Sequence, residues 1–222
     1  MDYKKLFHKE EAFQRETFQK RMEEFGFKNM ARMELFLWDL ELFLHIQKIL
    51  GDKIILKGGA ATQFYLPRDA QRTSVDIDML FFGTEEEIKK TLRKIEEYLG
   101  TEDELFYFHK HSPKNPKTNL PLHTYYTKVP SVLSNAERNM ERESIPYQEL
   151  KIEFILQPEK WEYERRTGEN IFAVNSSWNY QILPLNYLFA DKLTTLGCNT
   201  IGVQNERLDE QVKQFYDIMM LS

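Results

Sequence analysis

The sequence predicts an α+β fold, a mixed β-sheet flanked by helices with a helical C-terminal part. Three observations predict it. Short apolar runs rich in β-branched residues, at 53–57 and 150–156, alternate with stretches whose apolar residues recur at helical spacing. Glycines and prolines punctuate the two kinds of segment, and two helical stretches follow one another after residue 184. The composition, 222 residues with 41% hydrophobic and 29% charged, describes an ordinary globular chain and excludes disordered and fibrous classes. A chain of this length buries a core large enough to need no covalent or metal staple. A single cysteine, Cys198, excludes a disulfide framework and fits a reducing compartment. No apolar run approaches the roughly 18 residues needed to span a bilayer. Residues 1–25 are charged throughout and read as no leader, so a cytoplasmic location without membrane contact is expected. The net charge of −5 excludes a globally basic nucleic-acid coat but not a local basic patch.

In chain order, Phe7, Phe13, Phe18, Met22 and Phe25 recur on a charged background and predict an amphipathic helix over 5–26, packed on the core. A second, more apolar helix over 30–50 is closed by Gly51-Asp52. The run 53–57 reads as a strand. Gly58-Gly59 then turns into a helix over 60–66, which Pro67 stops. Residues 74–82 alternate as a strand, with Val75, Ile77 and Met79 on one face and Asp76 and Asp78 on the other. Gly83-Thr84-Glu85-Glu86 forms a turn and N-cap for a helix reaching Leu99 before Gly100. Strands are expected over 105–109 and 122–128, around a Pro/Asn/Lys loop, and over 150–156, ended by Pro158. After a mixed stretch come helices over 184–196 and 206–221. This gives an N-terminal helical element at 1–30, a core at 31–160 and a helical part at 161–222 that completes the cleft.

Asp76 and Asp78, two apart on one strand, project from the same side. Such carboxylates repel, and one pKa rises unless a cation intervenes. Oxygen ligands of this kind suit Mg²⁺, which takes one or two carboxylates together with substrate phosphates. By itself an Asp-x-Asp is more commonly the solvated face of an edge strand. Gly58-Gly59 lets backbone N–H groups approach a phosphate where a helix begins, although alone it is a plain strand–helix turn. It matches neither a Walker A loop nor a dinucleotide fingerprint. The two features fall within about twenty residues, each at its own strand end, and that conjunction is much rarer than either part. Glu153 is the only acid inside the apolar strand Lys151-Ile152-Glu153-Phe154-Ile155, and on its own reads as an exposed residue of a half-buried strand. Lys192 lies in the apolar stripe of Leu185, Leu188, Phe189 and Leu196, so it either snorkels out or meets an anion.

Lys57-Gly58-Gly59, Arg72, Ser74, Asp76-Ile77-Asp78 and Asp191-Lys192-Leu193 resemble the polymerase-β-type nucleotidyltransferase superfamily. Within it they are similar to the AbiEii/AbiGii-type nucleotidyltransferase toxins, including those that act on tRNA, over roughly residues 34–221. The resemblance implies a nucleotidyltransferase-like sheet and transfer of a nucleoside monophosphate from an NTP to an acceptor hydroxyl, with RNA and the tRNA 3′ end as the expected acceptor. It implies Asp76, Asp78 and Glu153 as ligands for Mg²⁺ (or Mn²⁺), and these three with Lys192 as the catalytic set. Lys57, Gly58, Gly59, Arg72, Ser74 and Lys192 are implied around the NTP, and a cognate antitoxin protein as partner. One departure stands out. Where the family pattern resembles [RK]-D-x-x-D, this chain has Lys213-Gln214-Phe215-Tyr216-Asp217, with Gln214 in place of the first acid. Asp217 then either pairs with Lys213 one turn back or serves the site.

From 105 to 136 there is no Asp or Glu, where the chain's average would place about five, while Lys110, Lys114, Lys117, Lys128, His109, His111 and His123 fall there. This segment, with the four lysines, is the candidate grip on a polynucleotide acceptor. Tyr125 and Tyr126 read equally as base-stacking groups or as core. His109 and His111 lack a third ligand for zinc. Two other classes stay open: transfer to a small molecule or a protein hydroxyl, and a non-catalytic nucleotide- or nucleic-acid-binding relative.

Overall fold

A computed structural model describes residues 2–112, 121–138, 146–197 and 208–222, with the side chains of 208–210 left aside. The helices are α1 (Arg15–Phe25), α2 (Met30–Leu50), α3 (Gly58–Thr62), α4 (Glu85–Leu99), α5 (Leu185–Thr194) and α6 (Leu208–Leu221). The strands are β1 (Ile54–Lys57), β2 (Asp76–Phe81), β3 (His109–His111), β4 (Leu122–Pro130), β5 (Tyr147–Leu156), β6 (Glu164–Gly168) and β7 (Ser176–Ile182). Among the described residues the strands form one mixed sheet in the order β3-β4-β5-β2-β1-β7-β6. β2 runs antiparallel to β1 and parallel to β5, and β1 runs parallel to β7.

α2 forms where Asn29 caps it, accepting from the Arg32 amide at 3.0 Å, and ends at Gly51 in a conformation (φ +61°) that only glycine adopts without strain. It runs through the middle of the molecule, with Phe36, Leu37, Leu40, Leu42, Phe43 and Ile46 all fully buried. A helix apolar nearly all round is a core helix. α4 has the opposite character, a single apolar stripe (Ile88, Leu92, Ile95) and a full capping box between Thr84 and Glu87. On β2, Ile77 and Met79 are fully buried, while Asp76 and Asp78 alternate to the other face.

Three sequence expectations are corrected. The helix expected over 5–26 begins only at Arg15, and residues 3–13 are short 3₁₀ turns in extended chain. The cause is a buried carboxylate on α2. Glu41 accepts from the backbone N–H groups of Phe7 (2.8 Å) and His8 (3.0 Å), from His8 Nδ1–H (2.6 Å) and from His45 Nε2–H (3.0 Å). Backbone donors spent on a distant acceptor cannot build a helix. Phe13 and Phe18 are nevertheless buried in the core, so the segment packs as expected. The strand expected over 105–109 shifts to His109–His111, because Asp103, Glu104 and Phe106 take positive φ. The mixed stretch after 160 contains the hairpin β6–β7, and β7 pairs with β1, so the sheet continues past residue 160. No helix among the described residues is long and apolar enough to cross a membrane.

Candidate active site

Register brings the predicted residues together. Lys57 on β1 pairs with Asp78 on β2, which pairs with Glu153 on β5, which pairs with Thr124 on β4. These four lie in one row across the sheet, each about 4.8 Å from the next along the hydrogen-bonding direction. Asp76 pairs with Lys151 in the adjacent row on the same face. The glycine loop closes over this row. A Cβ on Gly58 would lie 2.2 Å from Asp78 Oδ2, and the residue has φ +68°, so both space and backbone conformation require glycine. A Cβ on Gly59 would press to 3.0 Å against both the Arg72 guanidinium and Ser74 Oγ. Gln63 ties the two loops, donating to the Gly59 carbonyl (2.8 Å) while its own carbonyl accepts from the Arg72 amide (2.7 Å).

A cleft of about 330 Å³ opens on this arrangement. Arg32, Arg72, Lys151, Lys192 and Lys213 line it beside Asp76, Asp78 and Glu153, with Gly59 and Ser74 at its wall. Five cations against three carboxylates leave a positive surplus in a protein whose net charge is −5. The half-buried Asp78 carboxyl is pushed up to about 7, first by burial and then by repulsion from Glu153, partly offset by Lys57. Burial would lower the Lys151 ammonium, but Asp76 and Glu153 outweigh it and raise its pKa. Lys151 Nζ stands 2.9 Å from Glu153 Oε1 and 3.8 Å from Asp76 Oδ2.

Lys192 is buried at 3% exposure and meets an anion of the protein itself. Asp217 on α6, with no exposed surface, accepts from Lys192 Nζ at 2.8 Å and from Arg72 Nε and Nη2 at 2.7 and 2.5 Å. Burial would raise the Asp217 carboxyl, but the Arg72 hydrogen bonds and Lys192 hold it below its usual range. Asp217 therefore pairs with Arg72 and Lys192, not with Lys213. Gln214, at the position of the missing acid, accepts from Lys192 at 3.0 Å. Lys57 donates to Asp191 Oδ1 at 2.7 Å.

The predicted acceptor residues divide. Lys110 is bound to Glu85 at 2.6 Å, and Lys128 is bound to Glu104 and sits 4.7 Å over the Tyr147 ring. Lys114, Lys117 and Cys198 lie outside the described residues. Tyr125 is core, edge-on to Phe154, while Tyr126 is half-buried and edge-on to His111. Sequence reasoning missed Arg32, Gln63, Lys151 and Asp217's true partners. Only Lys151 had a local signal, its position two residues from Glu153 on one strand face.

Among the described residues no group of three or more acids, histidines or cysteines is gathered closely enough to hold a metal ion, since Lys151 stands between Asp76 and Glu153. The donor set still fits a hard cation. It is all oxygen, and the raised Asp78 pKa reports negative charge that the surrounding lysines do not fully neutralise.

A sheet whose crossing loops gather paired carboxylates, a glycine turn and a ring of phosphate-binding cations is the frame of an enzyme that handles nucleotides. The chain belongs to the AbiEii family, described as "Nucleotidyl transferase AbiEii toxin, Type IV TA system", whose model matches residues 42–222. It is thus a nucleotidyltransferase of a toxin–antitoxin family. No curated protein matches the chain. Among solved structures, JHP933 from Helicobacter pylori is 13% identical, with 96% of this chain and 67% of that one covered and a TM-score of 0.47. The Megavirus polyadenylate synthase is 10% identical, with 94% of this chain and 33% of that one covered and a TM-score of 0.42.

Proposed function

We propose that the protein transfers a nucleoside monophosphate from an NTP to a hydroxyl of an RNA acceptor, with the tRNA 3′ end as the acceptor class, in the cytoplasm. The observation that carries this reading is the contact between the glycine loop and the carboxylate row. A phosphate held by the Gly59 N–H and Ser74 Oγ would lie beside Asp78, with Arg72, Lys192 and Lys213 around it. Mg²⁺ (or Mn²⁺), held by Asp76 and Asp78 with Glu153, would supply the Lewis acidity and counter-charge this chemistry needs. The chain's own groups do the rest. Arg72 and Lys192, fixed by Asp217, bind and orient the polyphosphate and stabilise the charge that collects on departing pyrophosphate. Asp78, poised near 7, is placed to take the proton of the attacking hydroxyl at a carboxylate oxygen. Membership of the toxin family supports a cognate antitoxin as partner.

The test is a transfer assay with purified protein, each of four α-labelled NTPs, Mg²⁺ and total tRNA, beside an Asp78→Ala variant. Label entering RNA with the wild type alone is the expected result. Label entering protein or a small molecule instead would overturn the RNA acceptor and keep the site. Absence of both label and NTP binding would sink the proposed chemistry.

A further inference from the structure

Beside the cationic cleft lies a second cavity of about 720 Å³ with the reverse chemistry. The two meet at Asp78, Glu153 and Lys192, which line both. Their order follows the parallel strands β2 and β5. The first cavity takes the register pair Asp76 and Lys151, ahead of the junction, and the second takes Leu80 and Ile155, beyond it. The second cavity's walls are apolar, with Leu122 and Leu183 beside an edge-to-face pair of Trp161 and Tyr187, ring centroids 5.4 Å apart. Its charged groups are Lys57 and Lys192 against Asp78, Glu153 and Asp191, and Lys57 is already bound to Asp191. A phosphate gains nothing there, because no positive surplus remains to offset its desolvation. Tyr187 is nonetheless 40% exposed and Leu122 39%, a large apolar surface left open in a concave wall.

We infer that this cavity receives a nucleoside, base and ribose, whose phosphate sits at the Asp78–Glu153 junction. The inference rests on the reading of the cationic cleft as the polyphosphate site. A nucleobase is uncharged, planar and apolar on its faces, and gains most by stacking on an aromatic ring. An edge-to-face pair leaves a ring face for a third ring, and Tyr187 and Trp161 are the aromatic rings of this wall. Gln157, also on the wall, adds an amide able to read a base edge. The volume lies within the usual range for small-molecule sites. Two moieties in the reaction have this chemistry, the nucleoside of the NTP and the terminal nucleoside of the acceptor strand.

The experiment separates them. Binding of inorganic tripolyphosphate, of each NTP and of a short single-stranded RNA is measured with Mg²⁺ for the wild type, Tyr187→Ala, Tyr187→Phe and Trp161→Ala. Tripolyphosphate affinity should be the same in all four, which also reports that the variants are folded. A weakening of NTP binding by about tenfold or more in Tyr187→Ala, restored in Tyr187→Phe, would place the NTP's own nucleoside in the cavity. The same loss for RNA with NTP binding intact would place the acceptor's terminal nucleoside there. Tripolyphosphate, NTP and RNA all binding equally in wild type and alanine variants would overturn the inference while leaving the phosphate site standing. A wild type that binds no tripolyphosphate would overturn the phosphate site and the inference with it.

Discussion

Asp78 pays for its place in the carboxylate row. Its folded-state pKa of about 7 lies above the roughly 3.9 of an unfolded aspartate, so the folded chain holds the extra proton between those values. Stability in the absence of a divalent cation therefore falls as pH rises from about 4 to about 7. Asp78→Asn should remove that slope and raise the Tm at pH 7.5 in chelator by about 2–6 °C, while abolishing transfer. Melting curves of both proteins across this pH range decide it, and an unchanged slope would mean that Asp78 is ionised in the folded state throughout. Gly58 offers a second test at the same scale. Gly58→Ala meets both a positive φ and Asp78 at 2.2 Å, whereas Gly51→Ala meets a positive φ with nothing within 4 Å. Strain alone costs about 1 kcal/mol, so Gly51→Ala should lose roughly that much by urea denaturation. Gly58→Ala should lose at least twice as much. Equal losses would show that the loop can move off the carboxylate.

α6 acts on the site through one side chain. With Asp217 removed, Lys192 and Arg72 would be left as unpaired cations in a buried setting, a change that typically costs about 3–5 kcal/mol. Asp217→Ala should therefore unfold at markedly lower urea, and Asp217→Asn should retain fold but raise the KM for NTP as Arg72 loses its orientation. A kcat and KM both equal to wild type in Asp217→Asn would exclude that positioning role. The N-terminal segment depends likewise on one acceptor. Burial alone would raise the Glu41 carboxyl, but His45, His8 and the Phe7 amide outweigh it and hold it at about 2. A depressed folded pKa gives stability that is fully present above about 4.3 and is lost as pH falls toward 2. Glu41→Gln should flatten that acid limb and raise hydrogen exchange at the Phe7 and His8 amides. The same carboxylate explains why the first helix was misread. Periodic phenylalanines were visible in the sequence, but an acceptor 33 and 34 residues away was not. β6 and β7 escaped for another reason: β6 is a polar edge strand, and β7 is buried only over Tyr180–Ile182, so neither shows an apolar alternation. α2 and α4 were legible because their own caps and stripes define them.

Over the whole molecule, the part of the site that the sequence revealed is the part built from short spacings. Asp76, Asp78, Gly58 and Gly59 declare themselves within one strand–turn–helix–strand stretch, and Glu153 by being an acid in an apolar strand. What stayed hidden was pairing over distance, since Arg72 and Asp217 are 145 residues apart and Lys57 and Asp191 are 134 apart. That first separation also has a meaning in time. A ribosome adding about 5–20 residues per second needs on the order of ten seconds to travel from Arg72 to Asp217. During that interval the nascent chain already carries its glycine turn and aspartates, while the arginine has nothing to hold it. A toxin made this way is harmless to the cell during its own translation.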